Sequence, residues 1–281
     1  MSATDLLEIR PVAGALGAEI AGIDLSRKLD QRTADAVRAA FRDHLVLFFR
    51  GQSLTPEQQM EFTKTFGPLA VTPFVKPMEG YPYVVRVLKE AEERGISTFG
   101  NSWHSDFTSL PEPPLGSILH AIEVPDHGGD TMFANTYLAY DALSPGMKRM
   151  LAGLRAIHVG KPYGTKYGPP KDMKTSTSIQ IERNKPEADQ EVAHPESGRK
   201  ALYVNPIYTL RFDGMTEAES RPLLDFLYDH CIRPEFTCRF RWSKGAVALW
   251  DNRCTLHYAV NDYDGSRRLM HRTMIAGARM G

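Results

Sequence analysis

Apolar stretches rich in β-branched residues, cut at short intervals by turn residues, leave this chain few architectures. DHLVLFF (43–49), YPYVVRVLK (81–89), SILHAIEV (117–124), GAVALW (245–250) and RRLMHRTMIAG (267–277) each read as a strand. Helices are fewer and carry visible start signals. Thr55, Pro56 and Gln58 open TPEQQMEFTKTFG as cap, first and third helical residue, and Gly67–Pro68 closes it. Ser144 and Pro145 open SPGMKRMLAGL in the same way, and Thr216 with Glu219 makes a capping box before AESRPLLDFLYDHC. TADAVRAAFRDH (33–44) is amphipathic and feeds the first apolar strand. Short strands with a few flanking helices predict a mainly β chain, a sandwich or jelly roll with helical cladding.

No repeat and no linker divides the sequence, so residues 1–281 are expected to form a single domain. The most loop-like region, 160–199, is rich in Lys, Pro and Gly and poor in apolar residues. A polar segment of that length inside a compact chain reads as an active-site loop or lid, with plain solvated surface as the alternative.

Charge excludes several partners. Thirty-four basic residues balance 34 acidic ones, which argues against nucleic acid or an anionic membrane surface. The chain has no apolar run of the ~18 residues that crossing a bilayer takes, and MSATDLLEIR has no signal-peptide apolar region. The three cysteines, Cys231, Cys238 and Cys254, lack zinc-like pairing and read as reduced thiols, with Cys254 a small core residue. A cytoplasmic address is expected.

Chemistry concentrates in WHSDF (103–107). In an extended segment His104 and Asp106 share a face, which makes two thirds of a metal site and is equally compatible with a plain buried hydrogen-bonded pair. Of the nine histidines, His44 and His230 end helical patterns, His127, His158 and His194 lie in or beside loops, and His120 suits a strand core. His257 stands out, because in ALWDNRCTLHYAV an apolar strand leads through a polar turn to the histidine. Two histidines and one carboxylate form the facial triad of non-haem Fe(II) oxygenases. Arg268 and Arg272 add a second signal. In a strand they share one face with Met270, and two guanidinium groups aimed inward call for anions. A buried fork-shaped donor beside such iron is what a 2-oxoglutarate-dependent oxygenase needs for the distant carboxylate of the keto acid. The plain alternative is an exposed edge strand with two surface ion pairs.

WHSDFTS (103–109), PDHGGDT (125–131), WDNRCTLHYAV (250–260) and RRLMHR (267–272), in that order, resemble the taurine and 2,4-D dioxygenase family of Fe(II)/2-oxoglutarate enzymes. LGAEIAGIDLS (16–26), FFRGQSLTPEQ (48–58) and FTKTFGPL (62–69) extend the likeness over nearly the whole chain. HPESGRKALYVNPIY (194–208), GMTEAESRPLL (214–224) and FTCRFRW (236–242) look most like the (R)-selective phenoxypropionate dioxygenases. The resemblance implies a double-stranded β-helix, the jelly-roll core, with flanking helices. It implies iron bound by His104, Asp106 and His257, 2-oxoglutarate held by Thr131 and Arg268, and O2 as oxidant. It further implies Arg272 at the acidic group of a small anionic substrate, a mobile loop near 160–199, and a homo-oligomer.

One departure bears on substrate. Taurine dioxygenase carries a histidine and a tyrosine where this chain has Thr72 and Val75. Taurine is therefore not the expected substrate, and Val75, Phe74 and Tyr208 would make a more apolar wall for an aryl or alkyl group. Trp250 would line the cavity or sit in plain core. Hydroxylation of an aryloxyalkanoate-like carboxylate, or of an alkyl sulfate or sulfonate, is the expected reaction. Desaturation of an anionic metabolite is the enzymatic alternative, and a cupin-like zinc module the non-oxygenase one. Asp106 argues against a halogenase, which replaces the carboxylate ligand with a small residue.

Overall fold

The computed structural model describes residues 7–73, 75–95, 100–160, 189–190 and 198–278. In chain order the strands are β1 (Glu8–Pro11), β2 (Ala18–Ala21), β3 (Val46–Phe49), β4 (Leu69–Ala70), β5 (Val85–Lys89), β6 (Gly116–Glu123), β7 (Thr131–Asn135), β8 (Ala156–His158), β9 (Asp189–Gln190), β10 (Thr209–Phe212), β11 (Thr237–Phe240), β12 (Val247–Asp251), β13 (Thr255–Ala259) and β14 (Arg268–Ile275). The helices are α1 (Gln31–His44), α2 (Pro56–Thr63), α3 (Thr136–Asp141), α4 (Pro145–Leu151) and α5 (Glu217–Cys231).

An eight-stranded sheet runs β1-β2-β3-β12-β6-β14-β4, with β5 also paired to β14. A smaller sheet, β11-β7-β13, is packed against it, and a third, β10-β8-β9, lies apart in the pairing scheme. All pairings are antiparallel except β2 with β3. The two main sheets meet through aromatic rings. Phe48 of the large sheet stacks on Phe240 of the small one at 3.9 Å, and Phe133 lies 5.8 Å from both Phe48 and Trp250. Leu119, Ala121 and Met270 complete that core. This is the jelly-roll arrangement of a mainly β chain.

The large sheet is buried on its other face too, where Leu47, Phe49, Ile118, Val247 and Leu249 pack under Val37, Ala40 and Phe41 of α1 and Phe62 of α2. Burial on both faces explains why VLFF and VALW are unbroken apolar runs rather than alternating ones. The outer face of the small sheet contributes Ala134 and Leu256 to a cluster with Leu224, Leu227 and Tyr228 of α5 and Ala139 of α3.

The capped helices form where their signals place them. Thr55 and Thr216 make complete capping boxes, and Ser144 caps α4. α1 begins two residues before Thr33, because the Asp30 carboxylate accepts from the Thr33 backbone N–H and starts the helix at Gln31. α2 ends at Thr63, short of Gly67–Pro68. The strand expected over 81–89 begins only at Val85, where pairing with β14 starts. β7 and β13 were not foreseen. Each is five residues long, and the small sheet they build carries the functional side chains.

The expected core residues His120 and Cys254 are buried, and all three cysteines are buried free thiols. His158 is also buried, with Nδ1 in a hydrogen bond to Thr108 Oγ1 at 2.9 Å. Burial pushes its pKa down to about 4 from the ordinary 6.5. A depressed histidine keeps the folded chain unprotonated while the unfolded chain takes up a proton below about 6.5. Stability should therefore fall as pH drops from about 6.5 towards about 4, by up to roughly 3 kcal/mol from this residue. Urea unfolding on either side of that window measures the loss, and a histidine that titrates in the folded chain at its ordinary value would contradict it.

Among the described residues, no helix is long and apolar enough to cross a membrane. Most of the segment 160–199 lies outside the described residues, as does Phe74.

Candidate metal centre

His257 is set by the register of β13. It pairs opposite Phe133, on the inward face shared by Thr255 and Ala259, while Leu256 points into the α5 cluster. His104 docks on the same strand through a single antiparallel bridge, its N–H donating to His257 O at 3.0 Å and its carbonyl accepting from His257 N at 2.7 Å. The two imidazoles then lie 4.1 Å apart between centroids. The extended geometry expected of WHSDF lasts only to Ser105. Asp106 opens a turn, and Phe107 follows in the left-handed region at φ 51°. A bulky residue is uncommon there, and the chain reverses directly after Asp106.

Asp106 Oδ1 is 3.6 Å from His104 Nε2 and 3.6 Å from His257 Nε2. One donor atom from each of the three side chains lies within 4.8 Å of the others, and all three residues are buried. Each donor is left available by its other contacts. His104 Nδ1 is hydrogen-bonded to the Ser102 carbonyl at 2.7 Å, so the proton sits on Nδ1 and the Nε2 lone pair is free to ligate. Asp106 Oδ2 accepts from Arg272 Nη2 at 2.6 Å and from Ser117 Oγ at 2.9 Å, which leaves Oδ1 facing the two histidines. Burial opposes the charge on Asp106, yet Arg272 beside it, with His257 and His104, holds its carboxyl well below the ordinary range. Burial, with His104 alongside, holds His257 well below its usual value, so its imidazole is neutral. Neutral imidazoles and an ionised carboxylate are what a divalent cation takes up.

Arg268, Met270 and Arg272 share the inward face of β14, which lies between β6 and β5 rather than at an exposed edge. Arg268 is 5% exposed and Arg272 3%, which removes the surface-pair alternative. Among the described residues Arg268 Nε and Nη2 are buried with no hydrogen-bond acceptor, while the guanidinium is hydrogen-bonded to Tyr263. Its guanidinium carbon lies 5.8 Å from the Trp242 ring and 5.9 Å from the Tyr263 ring. Thr131, the last residue of GGDT, opens β7, and its Oγ1 accepts from Trp242 Nε1 at 2.9 Å. The glycines before it are required. A Cβ on Gly129, at φ +68°, would lie 3.2 Å from Tyr263 Cδ1 and 3.3 Å from Arg268 Cδ, and one on Gly128 would lie 2.7 Å from Asp262 Oδ1.

Trp250 is buried on β12 with its ring 4.9 Å from that of His257, so it walls the centre. Thr72 and Val75 are buried, and among the described residues Thr72 Oγ1 has no hydrogen-bond partner. They follow β4, whose Ala70 pairs with Met274, two residues from Arg272. Tyr208 is buried just before β10, its carbonyl accepting from Val159 N.

Sequence reasoning missed Ser117, Asn252 and Trp242. Ser117 Oγ bonds Asp106 and lies within 3.4 Å of Asn252 Nδ2, and Asn252 Oδ1 accepts from Trp250 Nε1 at 2.9 Å. A polar residue at the head of SILHAIEV, cross-strand from Trp250, was the available signal.

A ferrous ion and a keto acid fit this chemistry: three convergent N, N and O donors for the metal, and a buried guanidinium with orphaned donors for a carboxylate. Fold and donors together define a jelly-roll oxygenase of the two-histidine, one-carboxylate class. The sequence profile described as "Taurine catabolism dioxygenase TauD, TfdA family" matches residues 8–274. The chain is 37% identical to the alpha-ketoglutarate-dependent sulfate ester dioxygenase of Pseudomonas putida over 96% of this chain and 90% of that protein. It is 33% identical to the (S)-phenoxypropionate/alpha-ketoglutarate-dioxygenase of Sphingobium herbicidovorans, over 96% and 95% respectively. A crystal structure described as a putative alpha-ketoglutarate-dependent taurine dioxygenase from Burkholderia xenovorans superposes with a TM-score of 0.80 at 35% identity, covering 97% of this chain and 90% of that one. The chain belongs to the TauD/TfdA family of Fe(II)- and 2-oxoglutarate-dependent dioxygenases, which use O2.

Proposed function

We propose that this chain hydroxylates a small organic anion, a sulfate ester or an aryloxyalkanoate, at a carbon held over the metal. The observation that carries the reading is the convergence of His104 Nε2, Asp106 Oδ1 and His257 Nε2 within one buried site that also holds Arg268 with unmatched donors. His104, Asp106 and His257 hold the iron. With 2-oxoglutarate and O2 the bound iron supplies the oxidising power that places one oxygen atom on substrate and the other in succinate.

The chain's own residues bind, orient and exclude water. Arg268 meets the far carboxylate of 2-oxoglutarate with two N–H donors, and Thr131 adds a hydroxyl. Arg272, with five N–H donors, steadies Asp106 and faces the substrate's acidic group. Trp250 and Phe133 keep the centre dry, which strengthens each electrostatic contact inside it. Thr72, Val75, Phe74 and Tyr208 form the wall against the organic tail. A hydroxylated carbon that bears an ether or sulfate oxygen is a hemiacetal or its sulfate analogue, and it collapses with C–O cleavage.

Residues 1–281 act as a single domain in this reading, with 160–199 as its active-site loop. The reduced-thiol reading of the cysteines underlies its cytoplasmic address, and the family likeness its assembly as a homo-oligomer. Succinate release with Fe(II), 2-oxoglutarate and a panel of phenoxypropionates of both hands, phenoxyacetates, alkyl sulfates and taurine tests the proposal. Strong stimulation by alkyl sulfates or aryloxyalkanoates is expected, with taurine weak because Thr72 and Val75 give its amine and sulfonate no basic or phenolic reader. Stimulation by taurine alone would overturn it.

A further inference from the structure

We infer that Ser117 and Asn252 are positioning residues, a one-way relay of hydrogen bonds that keeps Asp106 Oδ2 turned from the metal and leaves Oδ1 alone to ligate. The inference rests on the reading of His104, Asp106 and His257 as the iron ligands. Ser117, Asn252, Trp250, Arg272 and Asp106 are all buried, Ser117 completely.

The direction of each bond follows from the groups that can only donate. An indole N–H has no lone pair to offer, so the end of the Asn252 amide that meets Trp250 Nε1 at 2.9 Å is the carbonyl oxygen Oδ1. The amide nitrogen is thereby turned to Ser117 Oγ, to which it donates at 3.4 Å. Arg272 Nη2, also donor-only, reaches the same hydroxyl at 3.3 Å. A serine hydroxyl has two lone pairs and one hydrogen. Both lone pairs of Ser117 are met by donors, and its hydrogen goes to the one acceptor among these neighbours, Asp106 Oδ2, at 2.9 Å. Asn252 holds the same region a second time, because its backbone carbonyl accepts from the hydroxyl of Ser105, the residue between His104 and Asp106. The turn that leads from β12 to His257 is thus tied to the segment that carries the other two ligands.

A carboxylate can give a metal one oxygen or two. With Oδ2 engaged by Ser117 and Arg272, Oδ1 is the oxygen that faces both histidines. A second oxygen on the metal would take a position that two histidines and one carboxylate otherwise leave open for the keto acid.

Titration calorimetry with Mn(II), an air-stable stand-in for Fe(II), tests the relay on wild type, Ser117→Ala, Asn252→Ala and the double variant. Ser117→Ala should weaken Mn(II) binding about tenfold, the usual cost of removing a group that orients a metal ligand. Asn252→Ala should weaken it about twofold to fivefold, the value of one neutral hydrogen bond. The double variant should lose no more than Ser117→Ala alone, because Asn252 reaches the carboxylate through that hydroxyl. Unchanged Mn(II) affinity in Ser117→Ala, or additive losses in the double variant, would overturn the relay and leave the metal centre standing. Wild type that binds no Mn(II) would instead overturn the reading of the three ligands and this inference with it. Should Ser117→Ala fail to fold, the crystal structure of wild type loaded with Mn(II) and 2-oxoglutarate decides the matter. Oδ1 alone on the metal, with Oδ2 still bonded to Ser117, is expected. Both oxygens on the metal, or a Ser117 hydroxyl bonded elsewhere, would overturn the inference.

Discussion

Asp106→Ala should abolish both iron binding and turnover, and it should also destabilise the fold by about 3–5 kcal/mol, the usual cost of stripping one partner from a buried ion pair. The two effects have separate origins in the same carboxylate. Oδ1 faces the two histidines, and Oδ2 is the charge partner of Arg272 at 2.6 Å, inside a region where Arg272 is 3% exposed. Deleting the carboxylate takes from the buried Arg272 guanidinium the charge partner that lies 2.6 Å from it. A second substitution separates the roles. Asp106→Ala combined with Arg272→Met removes the orphaned charge, so urea unfolding should recover most of the lost stability while turnover stays absent. If the double variant is no more stable than Asp106→Ala, the ion pair is not what holds this region.

Arg268→Met should act in opposite directions on function and stability. It removes two charge-assisted bonds to 2-oxoglutarate, each worth about 1.5–3 kcal/mol, so the requirement for the keto acid should rise about a hundredfold or more. In the absence of ligand, however, Arg268 is a buried cation whose Nε and Nη2 meet no acceptor among the described residues, and burial lowers its pKa from the ordinary value. Replacing it with an apolar side chain of similar length should raise the stability of the unliganded protein by about 1 kcal/mol or more. Steady-state titration of 2-oxoglutarate reads the first effect and urea unfolding without ligand reads the second. An unchanged keto-acid requirement would remove Arg268 from the site. A large loss of stability would make it a structural residue. The combination of weaker binding and a firmer fold is hard to obtain any other way.

The legible parts of this protein are those where one short segment carries the whole signal. The helix caps at Thr55, Ser144 and Thr216 are local hydrogen-bond patterns, and they form as read. The alternation in RRLMHR places Arg268 and Arg272 on one face because a strand has a period of two, and both point inward. WHSDF and His257 meet as expected, although the turn at Asp106 and the left-handed Phe107 were not visible in a pattern that favoured extended chain.

What stayed hidden depends on pairing between distant elements. β7 and β13 are too short and too mixed to announce themselves, and only their pairing in the small sheet makes them strands. Ser117 stands at the head of SILHAIEV, and its place beside Asp106 follows only from β12 and β14 lying on either side of it. Arg272 was read as a substrate ligand alone, and its ion pair with Asp106 appears only when β14 packs beside the turn that follows His104. Nothing in FTCRFRW reveals that the Trp242 indole meets the Thr131 hydroxyl, which lies over a hundred residues away.

In the proposed site a single ferrous ion joins residues from two separate parts of the chain, WHSDF and β13. Anomalous diffraction at the iron edge, from crystals grown without oxygen in Fe(II) and 2-oxoglutarate, tests it most directly. One peak should lie bonded to His104 Nε2, Asp106 Oδ1 and His257 Nε2, with the far carboxylate of the keto acid on Arg268 and Thr131. A peak elsewhere, or a keto acid that leaves Arg268 unmatched, would contradict the account.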